Sequence, residues 1–300
     1  MKKLFYSILI CILIISPLNI TLAESLLSGF ISNDFETSGQ TAPDENVYIE
    51  QIQHPQLLQT VDGVTFALEE ALYDGRTLFA VFTPRSDSPI LSQFSDAAEV
   101  GGKRVSISCL DSDAVYGSRA EKLNDGSSLT LYFSQTFLHR QEARDFTLRF
   151  LVRSDGSDEL FGENATLTLA SQMEWTEQLL SGNASLGGAL VNICAASCPL
   201  ESCIEVSLQL PDEMTEEQTA VFSESIVKII DASSGEELPL LNAVSNLLDG
   251  QGNACGEPFP GGSIVALFSL PVDFSIPDSL QLELKRIFSD SSIADSCTIP

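Results

Sequence analysis

The densest run of potential metal ligands is Cys194, Cys198 and Cys203, spaced Cys-x3-Cys-x4-Cys. A structural zinc site takes four ligands, and no second Cys pair or His pair completes this one. Disulfides or buried thiols suit these residues better, and Cys255 and Cys297 join them as disulfide candidates in the last third of the chain. Cys198 and Cys203 flank the turn-like Pro199-Leu200-Glu201-Ser202. A hairpin there would bring their Cα atoms within the ~4.4–6.8 Å that a disulfide needs, leaving Cys194 for Cys255 or Cys297. Cys109, alone in the first half, is expected as a buried thiol at the end of its strand.

Other chemistry is sparse. Any catalytic triad must use His54 or His139, the only two histidines, and no G-x-S-x-G elbow accompanies them. Asp249, Gln251 and Asn253 alternate like the start of a calcium loop, but Ala254 and Pro260 stand where such a loop requires Gly and Glu. The acidic pairs Glu69-Glu70 and Asp111/Asp113 are ordinary in so acidic a chain, and neighbours on a strand point to opposite faces. No catalytic, cofactor-binding or metal residue is therefore assigned, and the protein is not expected to be an enzyme.

The elements that would carry these residues are mostly strands. "VTFALEEALYDGRTLFAVFTP" (64–84), "KRVSISCL" (103–110), "SSLTLYFS" (127–134) and "DFTLRFLV" (145–152) alternate apolar and polar residues, and Asp-Gly at 74–75 and 125–126 marks hairpin turns. "VYIEQI" from Val47 reads as an earlier strand. The segments 190–211, 225–235, 261–271 and 278–288 resemble the first set in the same order, which suggests a duplication. Val191, Ile193, Ile204 and Val206 stand in the second set where the first carries helix formers, so 64–72 is assigned to a strand. Helix is minor: "MTEEQTAVFSE" (214–224) has Thr215 and Gln218 as a capping box, and "MEWTEQLL" (173–180) is ambiguous.

The chain opens with Lys2 and Lys3, an apolar run from Leu4 to Ile15, Pro17, and Thr21-Leu22-Ala23. This is the pattern of a bacterial secretory signal cut after Ala23. A net charge of −27, with 42 acidic and 15 basic residues, excludes nucleic acid as an expected partner and repels anionic surfaces. With 44% hydrophobic residues and 17 Phe, the chain can fill real cores and is not a disordered one.

"DGVTFALEEALYDGRTLFAVF", through Gly63, Val64, Thr65, Glu69, Glu70, Asp74, Gly75 and Leu78–Phe82, resembles an uncharacterised immunoglobulin-like domain family. That family occurs in exported regions of bacterial membrane proteins, some joined to anti-sigma-factor-like segments. The resemblance implies tandem immunoglobulin-like copies and no assigned catalytic residues. The expected organisation is all-β: a signal peptide (1–23), a flexible linker (24–46), and two tandem immunoglobulin-like β-sandwich domains (47–172 and 173–300). The expected role is an exported, non-catalytic interaction or structural module of the envelope or extracellular space. It would have an unknown protein or envelope partner and no membrane span after signal cleavage. A sensor ectodomain held by an uncleaved N-terminal anchor and a wall- or glycan-acting hydrolase are the alternatives.

Overall fold

The computed structural model describes residues 25–37, 42–92, 102–154, 157–180, 184–287 and 293–299; the signal-peptide reading falls outside them. The fold is an all-β sandwich architecture with little helix. Two sheets are built from the first half. One runs in the order β1 (Leu58–Val61), β2 (Val64–Tyr73), β3 (Thr77–Ser86), β8 (Ser128–Phe137), β6 (Ala114–Tyr116), with β7 (Arg119–Asp125) also on β8. The other runs β10 (Leu160–Ala170), β9 (Ala143–Ser154), β5 (Lys103–Cys109), β4 (Ile90–Leu91).

The second half builds two more sheets, and among the described residues these share no strand with the first two. Its larger sheet runs β11 (Thr176–Leu180), β13 (Ala189–Cys198), β14 (Glu201–Gln209), β17 (Ser263–Leu270), β16 (Asn242–Leu248), with β12 (Ser185–Leu186) also on β13. Its smaller sheet runs β15 (Ser225–Asp231), β18 (Leu280–Arg286), β19 (Ile293–Ile299). The hairpin β13-β14 beside β17 occupies the place of β2-β3 beside β8, and β15 beside β18 that of β5 beside β9.

Strand alternation explains the cores. Val64, Phe66, Phe82, Phe133, Phe146 and Phe150 point between the first two sheets. Phe66 and Phe150 lie 5.1 Å apart, and Tyr73 and Phe146 5.0 Å, separations at which aromatic pairs add about 0.5–1.5 kcal/mol beyond their burial. The second core is largely aliphatic, with Ile193, Ile204, Val206, Leu282 and Phe268.

One irregularity in β2 shapes the rest. The β2–β3 register shifts between Leu68 and Glu70, and such a bulge reverses which face later residues take. Ala71 and Tyr73 therefore join the first core, while Glu70 and Leu72 turn to the sheet's other face. There Leu72, Phe79 and Val81 pack under a helix, α1 (Leu26–Thr37), through Leu27, Phe30 and Ile31. Glu70 Oε2 accepts from Leu27 N (2.8 Å) and Ser25 Oγ (2.7 Å) at the helix N-terminus. The segment expected to be a flexible linker thus contains a docked helix, because Leu27, Phe30, Ile31 and Phe35 give it an apolar face.

Two smaller expectations also change. "VYIEQI" forms two 3-10 turns, Glu45–Val47 and Ile49–Gln51, instead of a strand; Asp44 Oδ1 accepts from Asn46 N at 3.0 Å and starts the first. Residues 176–180 of "MEWTEQLL" settle as β11. The second helix, α2 (Glu216–Glu224), carries the expected capping box, with Gln218 N donating to Thr215 Oγ1 (3.1 Å) and Thr215 N to Gln218 Oε1 (3.0 Å).

Candidate functional site at the seam between the two halves

The β2–β3 turn is buried, although Asp-Gly turns usually face water. Asp74 Oδ1 accepts from the backbone N–H of Arg76 and of Thr77, each at 2.7 Å. Gly75 has φ +111°, a conformation that favours glycine, and its carbonyl accepts from Tyr73 OH (2.7 Å) and Gln141 N (2.8 Å). Trp175, on the connection into the second half, donates from Nε1 to Asp74 O at 2.5 Å. The turn thus aims Arg76, 2% exposed, at the second half.

Arg76 meets two carboxylates of β14. Its Nη2 donates to Glu205 Oε2 at 3.2 Å, and its Nε lies 3.9 Å from Glu201 Oε1. Its Nη1 donates to Leu138 O at 2.6 Å. Residues two apart on a strand share a face, so Glu201, Cys203 and Glu205 all point at the first half. Thr77 Oγ1 donates to Glu201 Oε2 at 3.3 Å. Arg76 Nε and Glu201 Oε1 make no hydrogen bond.

Beside this cluster lies a cavity of about 340 Å³. That is near the lower end of the ~300–1,000 Å³ typical of small-molecule sites. Asp74 and Glu201 line it, with Phe35 of α1, Phe79 of β3, and Leu200 and Leu270 from the second half. Hydroxyls supply much of the remaining wall. Tyr116 OH and Ser269 Oγ are 2.5 Å apart across the seam, Ser118 Oγ and Ser134 Oγ 2.9 Å, and Thr77 Oγ1 and Thr136 Oγ1 2.9 Å.

Burial governs the electrostatics. It pushes the Glu201 carboxyl up to about 8, helped by the charge of Asp74 and opposed by Arg76. It pushes Asp74 up to about 6 against the two backbone N–H groups and Arg76. Burial also lifts the Cys198 and Cys203 thiols well above the ordinary range, as it does the Tyr116 hydroxyl. The seam therefore gathers the three acids Asp74, Glu201 and Glu205 about Arg76, and a second guanidinium, Arg140, pairs with Glu177 beside Trp175.

The residues singled out in the sequence fall elsewhere or take other roles. Cys194, Cys198, Cys203, Cys255 and Cys297 are all free thiols. The expected Cys198–Cys203 bridge is absent because the register pairs Cys198 with Glu201 and Cys203 with Ala196. The two cysteines are diagonal neighbours, and such neighbours lie about 7–8 Å apart, beyond the ~3.8 Å Cβ separation of a disulfide. Cys194 stays on β13, Cys255 donates to Glu257 O at 3.1 Å, and Cys297 sits on β19 against the second core. Cys109 ends β5 as a free, half-buried thiol, donating to Asp111 Oδ2 at 3.2 Å. Asp113 and Asp111 serve the buried Arg144, with Arg144 Nη1 3.0 Å from Asp113 Oδ2. Glu69 and Glu70 diverge, to Arg85 and to α1. Asp249 Oδ1 accepts from Gln251 N (2.8 Å) and Asn253 N (2.9 Å) within its own loop. His54 and His139 do not line the seam cavity.

No described helix is long and apolar enough to cross a membrane. No family model matches the chain, and no curated protein matches it. The chain is similar to "The crystal structure of the conserved domain protein from Bacillus anthracis", with a TM-score of 0.43 and 13% sequence identity, over 86% of this chain and 92% of that one.

Proposed function

We propose that the protein is an exported, non-catalytic interaction module made of two immunoglobulin-like sandwiches derived by duplication and held as one body. The observation that carries this reading is the buried clamp of Arg76 between Glu201 and Glu205. A joint of that kind suits a module that presents two sandwiches in fixed relation to a partner. The matching places of β2-β3-β8 and β13-β14-β17 support the duplication. Export rests on the Lys2-Lys3, apolar-run and Thr21-Leu22-Ala23 pattern.

One observation favours a second reading, a wall- or glycan-acting hydrolase: Asp74 and Glu201 line a single cavity. Against it, Asp74 is only 1% exposed and its Oδ1 is occupied by its own turn. The test is fractionation of cells expressing the whole chain, with N-terminal sequencing and a reducing-sugar assay on wall polysaccharide. The module reading expects a released protein beginning at Glu24 with no sugar released. Met1 on membrane-bound protein would instead support the anchored sensor ectodomain. Sugar release that is lost in Glu201→Gln would support the hydrolase.

A further inference from the structure

We infer that the seam cavity binds a compact organic cation, one bearing a primary ammonium or guanidinium group. Three features converge on this chemistry. The seam carries an acid surplus, with Asp74, Glu201 and Glu205 grouped about Arg76, while the other seam cation, Arg140, is already paired with Glu177. Among the described residues no basic side chain lines the cavity itself, while two of the three acids do. Glu201, only 9% exposed, has one oxygen, Oε1, that takes no hydrogen bond and is met only by Arg76 Nε at 3.9 Å. A buried carboxylate without full compensation is costly, and an entering cation supplies the missing charge.

The rest of the wall fits the same ligand. The oxygens of Ser134 and Thr136 already pair with other hydroxyls, but a hydroxyl oxygen has a second lone pair to offer an N–H donor. Phe35 and Phe79 add aromatic surface, which attracts cations through the ring quadrupole. A neutral polyol could use the hydroxyls but would leave the acid surplus uncompensated. The net charge of −27 draws cations toward the protein as a whole, so the test must separate the cavity from the surface.

Binding here depends on the seam and not on export or cellular location. The experiment is calorimetric titration of the full chain with butylammonium and with agmatine, using glucose as the neutral control, from pH 6 to 9. The cation takes Glu201 in its ionised form. Burial raises the Glu201 carboxyl, so the affinity should rise with pH, by up to about tenfold per pH unit while the carboxyl is still protonated, and then level off. Glu201→Gln, nearly isosteric with the protonated acid, should lose at least tenfold at pH 8 and flatten the pH dependence. Leu241→Trp, which fills the cavity without changing charge, should abolish binding while thermal melting shows a folded protein. The proposal is overturned if neither amine gives a saturable heat at any pH. It is equally overturned if glucose binds as tightly as the amines, or if Leu241→Trp binds them unchanged.

Discussion

Arg76 is the residue on which the seam turns. It is one of only 15 basic residues in the chain, and it faces two acids on the neighbouring half while its backbone is held by Asp74. Removing it deprives Glu205 of its counter-charge and the buried Leu138 O of its donor, and leaving buried polar groups unsatisfied in this way costs about 1–3 kcal/mol. Arg76→Met should lower the urea midpoint at pH 7 accordingly. Adding Glu201→Gln and Glu205→Gln should restore much of the loss, because the three side chains act as one network. An Arg76→Met variant as stable as the parent would mean that the clamp contributes nothing. Glu201 and Glu205 share the polar face of an alternating strand with Ser207 and Gln209, a pattern that by itself points to solvent. Arg76 left almost no trace in the sequence, since a basic residue after Asp-Gly normally points to water, and only the partner half makes it buried.

At the scale of elements, most strands follow directly from local pattern. The hairpins β2-β3 and β13-β14, strands β5, β8, β9, β15, β17 and β18, and helix α2 with its cap all lie where alternation and capping residues place them. What escaped were features set by contacts between distant segments. The bulge at Leu68–Glu70 reverses the face of Leu72, and α1 forms because that reversed face offers it an apolar bed. Neither can be seen in "LEEALY" or "LLSGFISNDFET" taken alone. The cysteine pairing failed for a related reason: a two-residue turn and a turn two residues longer place Cys198 and Cys203 differently, and spacing does not choose between them. Two tests belong here. Thr215→Ala should cost about 1 kcal/mol through loss of the α2 cap, read as a lower melting temperature. Gly117, between β6 and β7, packs so closely on β8 that an added Cβ would overlap Ser134 O. Gly117→Ala should therefore destabilise by about 1–3 kcal/mol and disturb the β6 and β7 amides in hydrogen exchange. Unchanged exchange there would contradict the close approach.

For the whole molecule, the central claim is that two pairs of sheets meet at a buried seam with more acid than base. This has a pH signature of definite sign. Folding raises Glu201 to about 8 and Asp74 to about 6, whereas in the unfolded chain both ionise near the ordinary carboxylate value of about 4. The folded state then holds extra protons between these limits. Its stability is fully present below the unfolded value and is lost as pH rises through 6 and then 8. The exposed acids Asp125, Asp231, Asp249 and Glu237 are shifted downward by hydrogen bonds and act with the opposite sign, at lower pH. Above pH 5 the seam dominates. The most direct measurement is the melting temperature of the full chain and of Glu201→Gln from pH 5 to 8.5 at fixed salt. The parent should melt progressively lower as pH rises, by about 2–4 °C for each kcal/mol lost, and Glu201→Gln should remove most of that slope. A parent curve that is flat or rises with pH, or a Glu201→Gln curve parallel to the parent, would contradict a buried, acid-rich seam.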